Sequence, residues 1–285
     1  MTRHPKCTAF SVCFMSFLVC AGTVFAFPEM RLSEWDRGVS VDSIDHPEMR
    51  MYLWFYEWNM FGAVRKGQHT RGNWTNHVAL KANSRRAEVV SGNYGVKLDV
   101  EAVEDAAELV LCITNTTARQ WPPLASVTAC FNPGPEKTRN RQFANTKTYF
   151  HANSGFMPLA MKAPREIHYN HELRKAIDAA ADKEGKYDWS SKWPKSDVDA
   201  VDGLIIREST NGKWVTGIAW DRFLGAQGHN PWECMHLSIH VGPLKPKETR
   251  KVRGRIWLFE GTKQRSEEHT SELQSRRNPV CRLLL

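Results

Sequence analysis

Alternating apolar and polar positions run through most of the chain and predict β-strands. The segments 96–101 (VKLDVE) and 109–114 (LVLCIT) show this period of two, which is typical of strands with one buried face. Turn residues such as Asn, Gly and Pro separate these segments from their neighbours. On the same grounds we predict further strands at 51–57, 76–82, 87–91, 124–131, 146–151, 203–208, 214–220, 233–241 and 251–259.

One segment departs from this pattern. Residues 171–183 are rich in Ala, Leu, Glu and Lys and predict a single short helix. Many strands, one helix and no internal repeat predict an all-β fold, an antiparallel β-sandwich. The 238 residues from 27 to 264 are enough for one such domain.

The first 26 residues have the pattern of an export signal. A basic start is followed by the apolar stretch 9–25 and by a small-x-small cleavage segment at 24–26. The apolar stretch is shorter than the roughly 20 residues that a membrane span needs. We therefore expect a mature chain that begins near residue 27 and is secreted or periplasmic. A lipoprotein that keeps Cys20 is the second interpretation.

The other end of the chain carries a foreign pattern. Residues 265–275 read RSEEHTSELQS, which is the translation of a common sequencing adapter. We therefore expect 265–285 to be a non-native tail and the natural sequence to be truncated near Gln264. The alternative is a genuine polar, helical tail.

Charge and hydropathy narrow the possible partners. Between these two ends, 33 basic and 28 acidic side chains leave a net charge of about +5. This excess is spread along the chain, whereas nucleic-acid binding requires a concentrated basic face, so we expect no nucleic-acid partner. No second apolar stretch reaches membrane length, and no oligomeric state is predicted.

Six basic residues lie between 245 and 255. They either bind an anionic polysaccharide or mark a charged edge strand, and we favour the edge strand.

Two segments resemble parts of secreted sandwich domains. Residues 108–117 (ELVLCITNTT) are similar to a strand-and-turn segment, L-x-V-T-N-T-S. Residues 242–249 (GPLKPKET) resemble the L-x-P-G-E-x turn before a closing strand, with Lys247 in place of the usual Gly. Together with its size and helix-poor second half, the chain resembles the galactose-mutarotase-like supersandwich of exported carbohydrate-active proteins. The resemblance implies a supersandwich and a polysaccharide or oligosaccharide partner, and it transfers no catalytic residue.

The densest group of polar and aromatic residues lies in 220–241, where Gly and Pro predict a loop that leads into a strand. Loops on a rigid scaffold often bind ligands. In one interpretation an indole stacks on a sugar ring while polar side chains bind its hydroxyls; in the other, the tryptophans close the end of the sandwich. The candidate ligand-binding residues are Trp220, Asp221, Arg222, Gln227, Asn230, Trp232 and His240.

The pair His236 and His240 does not predict a metal site. The alternation around them predicts a strand, on which residues four apart lie about 13 Å from one another. One zinc ion needs its ligands about 2 Å away. No phosphate-binding loop or dinucleotide glycine pattern is present, and we expect no metal and no other cofactor.

An enzyme is the second hypothesis. Glycan chemistry needs acid–base groups roughly 5–10 Å apart, and the candidate catalytic residues are His236 or His229 with Glu57. The activity would be that of a lyase, hydrolase or epimerase. Cys234 and His236 lie two residues apart on one strand face, at roughly 6–7 Å, which is too far for a thiol and its base. A carbohydrate-binding protein is the first hypothesis, and a non-catalytic envelope or matrix component is the third.

Three cysteines lie between the signal and the proposed non-native tail. Cys112, Cys130 and Cys234 are an odd number, so at most one internal bridge forms in an oxidising compartment. Cys112 and Cys130 flank a turn and are a possible pair, but the spare thiol makes a bridge the minor alternative.

Overall fold

The computed structural model describes residues 29–35, 38–54, 76–91, 95–134, 142–184, 194–229 and 232–277. Strands dominate these residues, and two short helices accompany them, which confirms the predicted all-β fold class. The strands are β1 (Met30–Trp35), β2 (Gly38–Ser43), β3 (Met51–Trp54), β4 (Asn76–Lys81), β5 (Arg86–Ser91), β6 (Val96–Val103), β7 (Ala106–Thr114), β8 (Ser126–Pro133), β9 (Phe143–Ala152), β10 (Gly155–Pro158), β11 (Ile167–Tyr169), β12 (Leu204–Ser209), β13 (Trp214–Trp220), β14 (Phe223–Gln227), β15 (Met235–His240) and β16 (Thr249–Glu260). The helices are α1 (Arg174–Glu184) and α2 (Ser266–Arg277).

The strands form two antiparallel sheets. The seven-stranded sheet has the order β1-β2-β3-β8-β15-β14-β11, and the nine-stranded sheet has the order β10-β9-β12-β13-β16-β7-β6-β5-β4. Strands that are distant in sequence, such as β8 and β15, are neighbours. The antiparallel sandwich predicted from the alternation is therefore present.

One apolar core fills the space between the sheets. The seven-stranded sheet contributes Met235, Leu237 and Ile239 from β15, and the nine-stranded sheet contributes residues such as Ile218 and Ile256. Alternate residues of a strand point to opposite faces, so the residues between these core positions lie on the outer faces of the sheets.

The two segments that resemble secreted sandwich domains meet each other. The side-chain amide of Asn115 donates to the carbonyl oxygen of Leu244 at 2.9 Å, and the Lys247 N–H donates to the Asn115 carbonyl at 2.8 Å. Lys247 has a φ of 66°, in the left-handed region that favours glycine. A lysine therefore adopts a left-handed conformation at the position where the similar turn has glycine.

The basic segment 245–255 does not belong to an edge strand, so that prediction was wrong. Strand β16 pairs with β13 on one side and with β7 on the other. Its arginines are accommodated by neighbouring carboxylates, as where the Arg255 Nε lies 3.5 Å from Glu108 Oε1. On β16, therefore, a basic residue such as Arg255 indicates a carboxylate partner on an adjacent strand and not an exposed sheet edge.

The outer face of the nine-stranded sheet is apolar at its centre. Trp257 and Phe259 are fully buried there, and α2 lies over them, with the His269 ring stacked 4.9 Å from Trp257. The same helix contains most of the adapter-like segment 265–275. Gly217 leaves room for this arrangement, because a Cβ at that position would lie 2.4 Å from the Trp257 ring.

Three further predictions meet the structure as follows. The predicted helix 171–183 is α1, which begins at Arg174 because a turn at 171–173 precedes it. Cys112 and Cys130 lie in different sheets and form no disulfide with each other. The proposed signal, residues 1–26, lies outside the described residues. Among those described, no helix combines the length and apolar character needed to cross a bilayer.

Candidate functional site

The outer face of the seven-stranded sheet carries a stripe of polar side chains on its central strands. Because Val127, Ala129 and Phe131 of β8 belong to the core, the residues between them lie on the outer face, and the same holds for β15. We call the following set the polar stripe: Ser126, Thr128, Cys130, Gln227, His236, Ser238 and His240.

His236 lies at the centre of the polar stripe and is only 6% exposed. Its cross-strand neighbours are Cys130 on β8 and Gln227 on β14. The His236 Nδ1 lies 2.9 Å from Gln227 Oε1, and its Nε2 lies 3.2 Å from Cys130 Sγ. Since an amide oxygen only accepts, Nδ1 carries the proton and Nε2 faces the thiol. The sequence placed His236 on a polar face, but it gave no sign of Cys130, which is 106 residues away.

Two further contacts order the rest of the polar stripe. The hydroxyls of Thr128 and Ser238 are 3.2 Å apart, and the His240 Nε2 donates to the Pro123 carbonyl oxygen at 2.7 Å. Burial, reinforced by the positive charges of Arg222 and Arg250, lowers the pKa of His240, so this ring is neutral near pH 7. His236 and His240 therefore have separate hydrogen-bond partners.

Aromatic rings border the polar stripe on one side. Trp35 lies against both Tyr52 and Trp54, with ring centroids 5.0 and 4.9 Å away. Trp54 is the direct cross-strand neighbour of Cys130, which places this aromatic group beside the polar stripe. The described residues 51–54 thus place two aromatic side chains of the predicted strand 51–57 beside the polar stripe.

Trp232 borders the polar stripe at the end where β15 begins. Its side chain is 61% exposed, the most exposed of the large apolar residues that the structure describes. Asn132, on the outer face of β8, donates its amide N–H to the Trp232 carbonyl at 3.1 Å, which holds the loop next to the sheet. The Arg165 guanidinium lies 5.3 Å from the ring centroid. An exposed indole is therefore held at the edge of a polar surface.

Several buried polar atoms around this face have no hydrogen-bond partner among the described residues. Buried donors and acceptors are normally satisfied, and leaving one unpaired costs roughly 1–3 kcal/mol. Such atoms are common at places where a ligand or ordered water binds. On or next to the polar stripe they are Trp54 Nε1, Asn132 Oδ1, Gln227 Nε2 and His229 Nδ1.

The remaining predicted site residues take different positions. Trp220 is 2% exposed and belongs to the core between the sheets, as the packing interpretation of the tryptophans describes. Asp221 caps a turn, since its Oδ1 accepts from the Arg253 backbone N–H at 3.1 Å. Arg222 Nε donates to the His240 carbonyl at 3.2 Å, so it does lie next to the polar stripe.

Three of the predicted residues lie in or beside segments that the structure does not describe. His229 is half-buried with a φ of 53°, at the end of the described segment that contains β14. Glu57 and Asn230 lie outside the described residues, so their roles stay predictions. Of the predicted ligand-binding and catalytic residues, the structure brings Gln227, His236 and His240 together on one face, with Trp232 at its edge.

Comparison with known proteins gives a weak structural similarity. No family model and no curated protein matches the chain. A galactose mutarotase-like protein from Lactobacillus casei has a TM-score of 0.38 and 10% identity, covering 81% of this chain and 97% of that one. A galactose mutarotase related enzyme from Lactobacillus acidophilus has a TM-score of 0.41 and 10% identity, with 82% and 98% covered. A polysaccharide lyase has a TM-score of 0.43 and 10% identity, with 84% and 33% covered.

The galactose mutarotase related enzyme has the name of the group that the chain was expected to resemble from its size and helix-poor second half. At about 10% identity and TM-scores below 0.5, these similarities assign no activity, substrate or site residue to this chain. The functional argument therefore depends on the polar stripe, the aromatic group and Trp232.

Proposed function

We propose that this protein binds a saccharide on the outer face of its seven-stranded sheet, in the polar stripe between the Trp35–Tyr52–Trp54 group and Trp232. A second part of the proposal is that the protein binds this saccharide outside the cytoplasm. The basic residues near position 3 and the apolar stretch after them support this part. The observation that carries the proposal is the exposed Trp232 indole, held beside buried polar atoms that have no partner among the described residues.

The chemistry of the face matches that of a sugar. A pyranose offers hydroxyls that both donate and accept, and it has an apolar ring face that stacks on an indole. The stripe supplies hydroxyl, amide and imidazole groups, while Trp232 and Trp54 supply aromatic surface.

Binding to a glycan array, followed by titration with the best ligand, tests this proposal. We expect Trp232→Ala to weaken binding ten-fold or more, because loss of a stacking anchor costs about 1.4 kcal/mol or more. Leu80→Ala is the matched control, since Leu80 is also exposed but lies on β4, in the other sheet. No binding on a broad array, or equal loss in both variants, would contradict the proposal.

A glycan-processing enzyme is the second candidate, and one observation favours it. The His236 Nδ1 donates to Gln227, so the imidazole has one defined tautomer and its Nε2 can accept a proton, as in a general base. Incubation of purified protein with the array ligands, followed by assay for new reducing ends, unsaturated products or changed anomers, separates the two candidates. Turnover that His236→Gln abolishes supports the enzyme, and binding without turnover supports the first candidate.

A further inference from the structure

Three soft-metal ligands converge at one end of the polar stripe. Cys130 lies on β8, His236 lies opposite it on β15, and Cys234 precedes β15 by one residue. The Sγ atoms of the two cysteines and a ring nitrogen of His236 all lie within 4.8 Å of one another. Sequence spacing did not show this group, because strand pairing brings Cys130 to residues that follow it by more than a hundred positions.

The distances are close to those around a single metal ion. Zn–S bonds of about 2.3 Å and Zn–N bonds of about 2.0 Å place neighbouring ligands of a tetrahedral ion roughly 3.3–3.8 Å apart. The His236 Nε2 and the Cys130 Sγ are 3.2 Å apart. Small rotations of the cysteine side chains therefore suffice to complete a three-ligand site, and a fourth position would be left for water or another donor.

A neighbouring amide orients the imidazole for this role. Gln227 Oε1 accepts from His236 Nδ1 at 2.9 Å, which leaves the Nε2 lone pair directed at the sulfur atoms. Metal-binding histidines almost always donate their second N–H in this way, and the contact fixes both the tautomer and the ring orientation. The site is also shielded from solvent, since Cys130, Cys234 and His236 are 0, 3 and 6% exposed.

A buried positive charge lies close to Cys234. The Arg207 guanidinium is fully buried and interacts electrostatically with Cys234. Its hydrogen bonds go to neutral acceptors, namely Thr148 Oγ1 at 2.7 Å, the Glu233 carbonyl at 2.8 Å and Asn145 Oδ1 at 3.0 Å. A metal-bound thiolate of Cys234 would therefore lie near a cation, with which the Glu233 side chain also interacts.

We propose that Cys130, Cys234 and His236 bind a thiophilic metal ion, Zn²⁺ or Cu⁺. Two thiolates and one imidazole are the ligands that both ions prefer, and neither ion changes oxidation state on binding. Each thiol loses its proton as its sulfur binds the metal, so two protons are released for each ion that enters. The proposal does not depend on saccharide binding, and either one can fail without the other.

Titration of the reduced, metal-free protein under anaerobic conditions tests the site. We expect one Zn²⁺ or one Cu⁺ per chain, measured separately, and Co²⁺ should give thiolate-to-metal charge-transfer absorption. Cys130→Ser and Cys234→Ser should each lose the stoichiometric binding and the cobalt spectrum. Cys112→Ser is the matched control, because Cys112 is a free thiol in the other sheet, and it should bind as the unmodified chain does.

A second variant keeps the test independent of folding. Gln227→Met leaves all three ligands in place, and loss of such an orienting contact typically weakens metal binding by about 10- to 100-fold. Bound metal should also protect Cys130 and Cys234, but not Cys112, from alkylation. The proposal is overturned if folded, reduced protein binds no ion stoichiometrically, if Cys112→Ser loses binding as well, or if the metal leaves the alkylation of Cys130 and Cys234 unchanged.

Discussion

The hydrogen bond between Thr128 and Ser238 allows the stability and the function of the polar stripe to be separated. Thr128 is fully buried, whereas Ser238 is partly exposed, and their hydroxyls are 3.2 Å apart. If the polar groups of the stripe serve ligand binding, replacing both hydroxyls with apolar groups should weaken saccharide binding. The same replacement should lower the free energy of unfolding by less than the sum of the two single replacements. The variants are Thr128→Val, Ser238→Ala and the double variant.

The expected magnitudes follow from burial. Ser238→Ala leaves the Thr128 hydroxyl buried without its partner, which lowers the free energy of unfolding by roughly 1–3 kcal/mol. Thr128→Val leaves a partly exposed hydroxyl that water can satisfy, so the loss is about 1 kcal/mol, near the net value of one hydrogen bond. The double variant loses the pair without leaving either group unpaired, so its loss should fall below the sum of the single losses by about 1 kcal/mol.

Urea unfolding followed by circular dichroism measures these differences, with an unchanged slope as evidence that the transition stays comparable. Affinity for the ligand identified on the array is measured on the same three proteins. Strictly additive losses of stability would refute the coupling. A double variant with full saccharide affinity would refute the role of the central stripe in binding.

Three further predictions concern the scaffold. Gly217→Ala should lower the free energy of unfolding by roughly 1–3 kcal/mol, because its Cβ would lie 2.4 Å from the Trp257 ring; thermal unfolding measures this. Lys247→Gly should raise the free energy of unfolding by up to about 1 kcal/mol, because it relieves a φ of 66°; urea unfolding measures this. Burial lowers the pKa of His269 from 6.5 to about 3. Because the undocked ring takes up a proton below pH 6.5 and the docked ring does not, docking of α2 should be strongest above pH 6.5 and should weaken as the pH falls towards 3. Trp257 fluorescence measures this docking, and His269→Phe should remove the pH dependence.

The first of these predictions has a control within the chain, and the other two have outcomes that would contradict them. Gly212→Ala places a Cβ in open surroundings but has a φ of 72°, so it should show backbone strain without a clash, and a loss equal to that of Gly217→Ala would contradict the packing argument. A Lys247→Gly variant of unchanged or lower stability would show that the turn bears no strain. An unchanged pH profile in His269→Phe would exclude that ring as the titrating group.

The sequence predicted which segments form strands and which side chains lie on a polar face. It did not predict which strands pair with one another. The alternation in 233–241 placed His236 and His240 on a polar face, because period-two patterning depends only on local geometry. It did not reveal that Cys130 lies opposite His236, because strand pairing joins segments far apart in the chain. The same limit explains β16, whose arginines indicated an edge strand until its pairing with β7 and β13 was known.

The candidate site was predicted in part for the same reason. Gln227, Trp232, His236 and His240 come from one continuous segment, and a sequence pattern can mark them together. Thr128 and Cys130 come from a strand whose polar residues carry no distinctive motif. Trp220 belongs to the same continuous segment but is buried, because its position on β13 turns it towards the core.

The most direct test of the binding face is the position of the ligand itself. Indole ¹H–¹⁵N resonances of the tryptophans, assigned by single substitution, report saccharide contact at each ring. We expect the Trp232 and Trp54 resonances to move on titration and the Trp257 resonance, on the outer face of the other sheet, to stay unchanged. Shifts confined to Trp257, with Trp232 and Trp54 unaffected at saturation, would contradict the account.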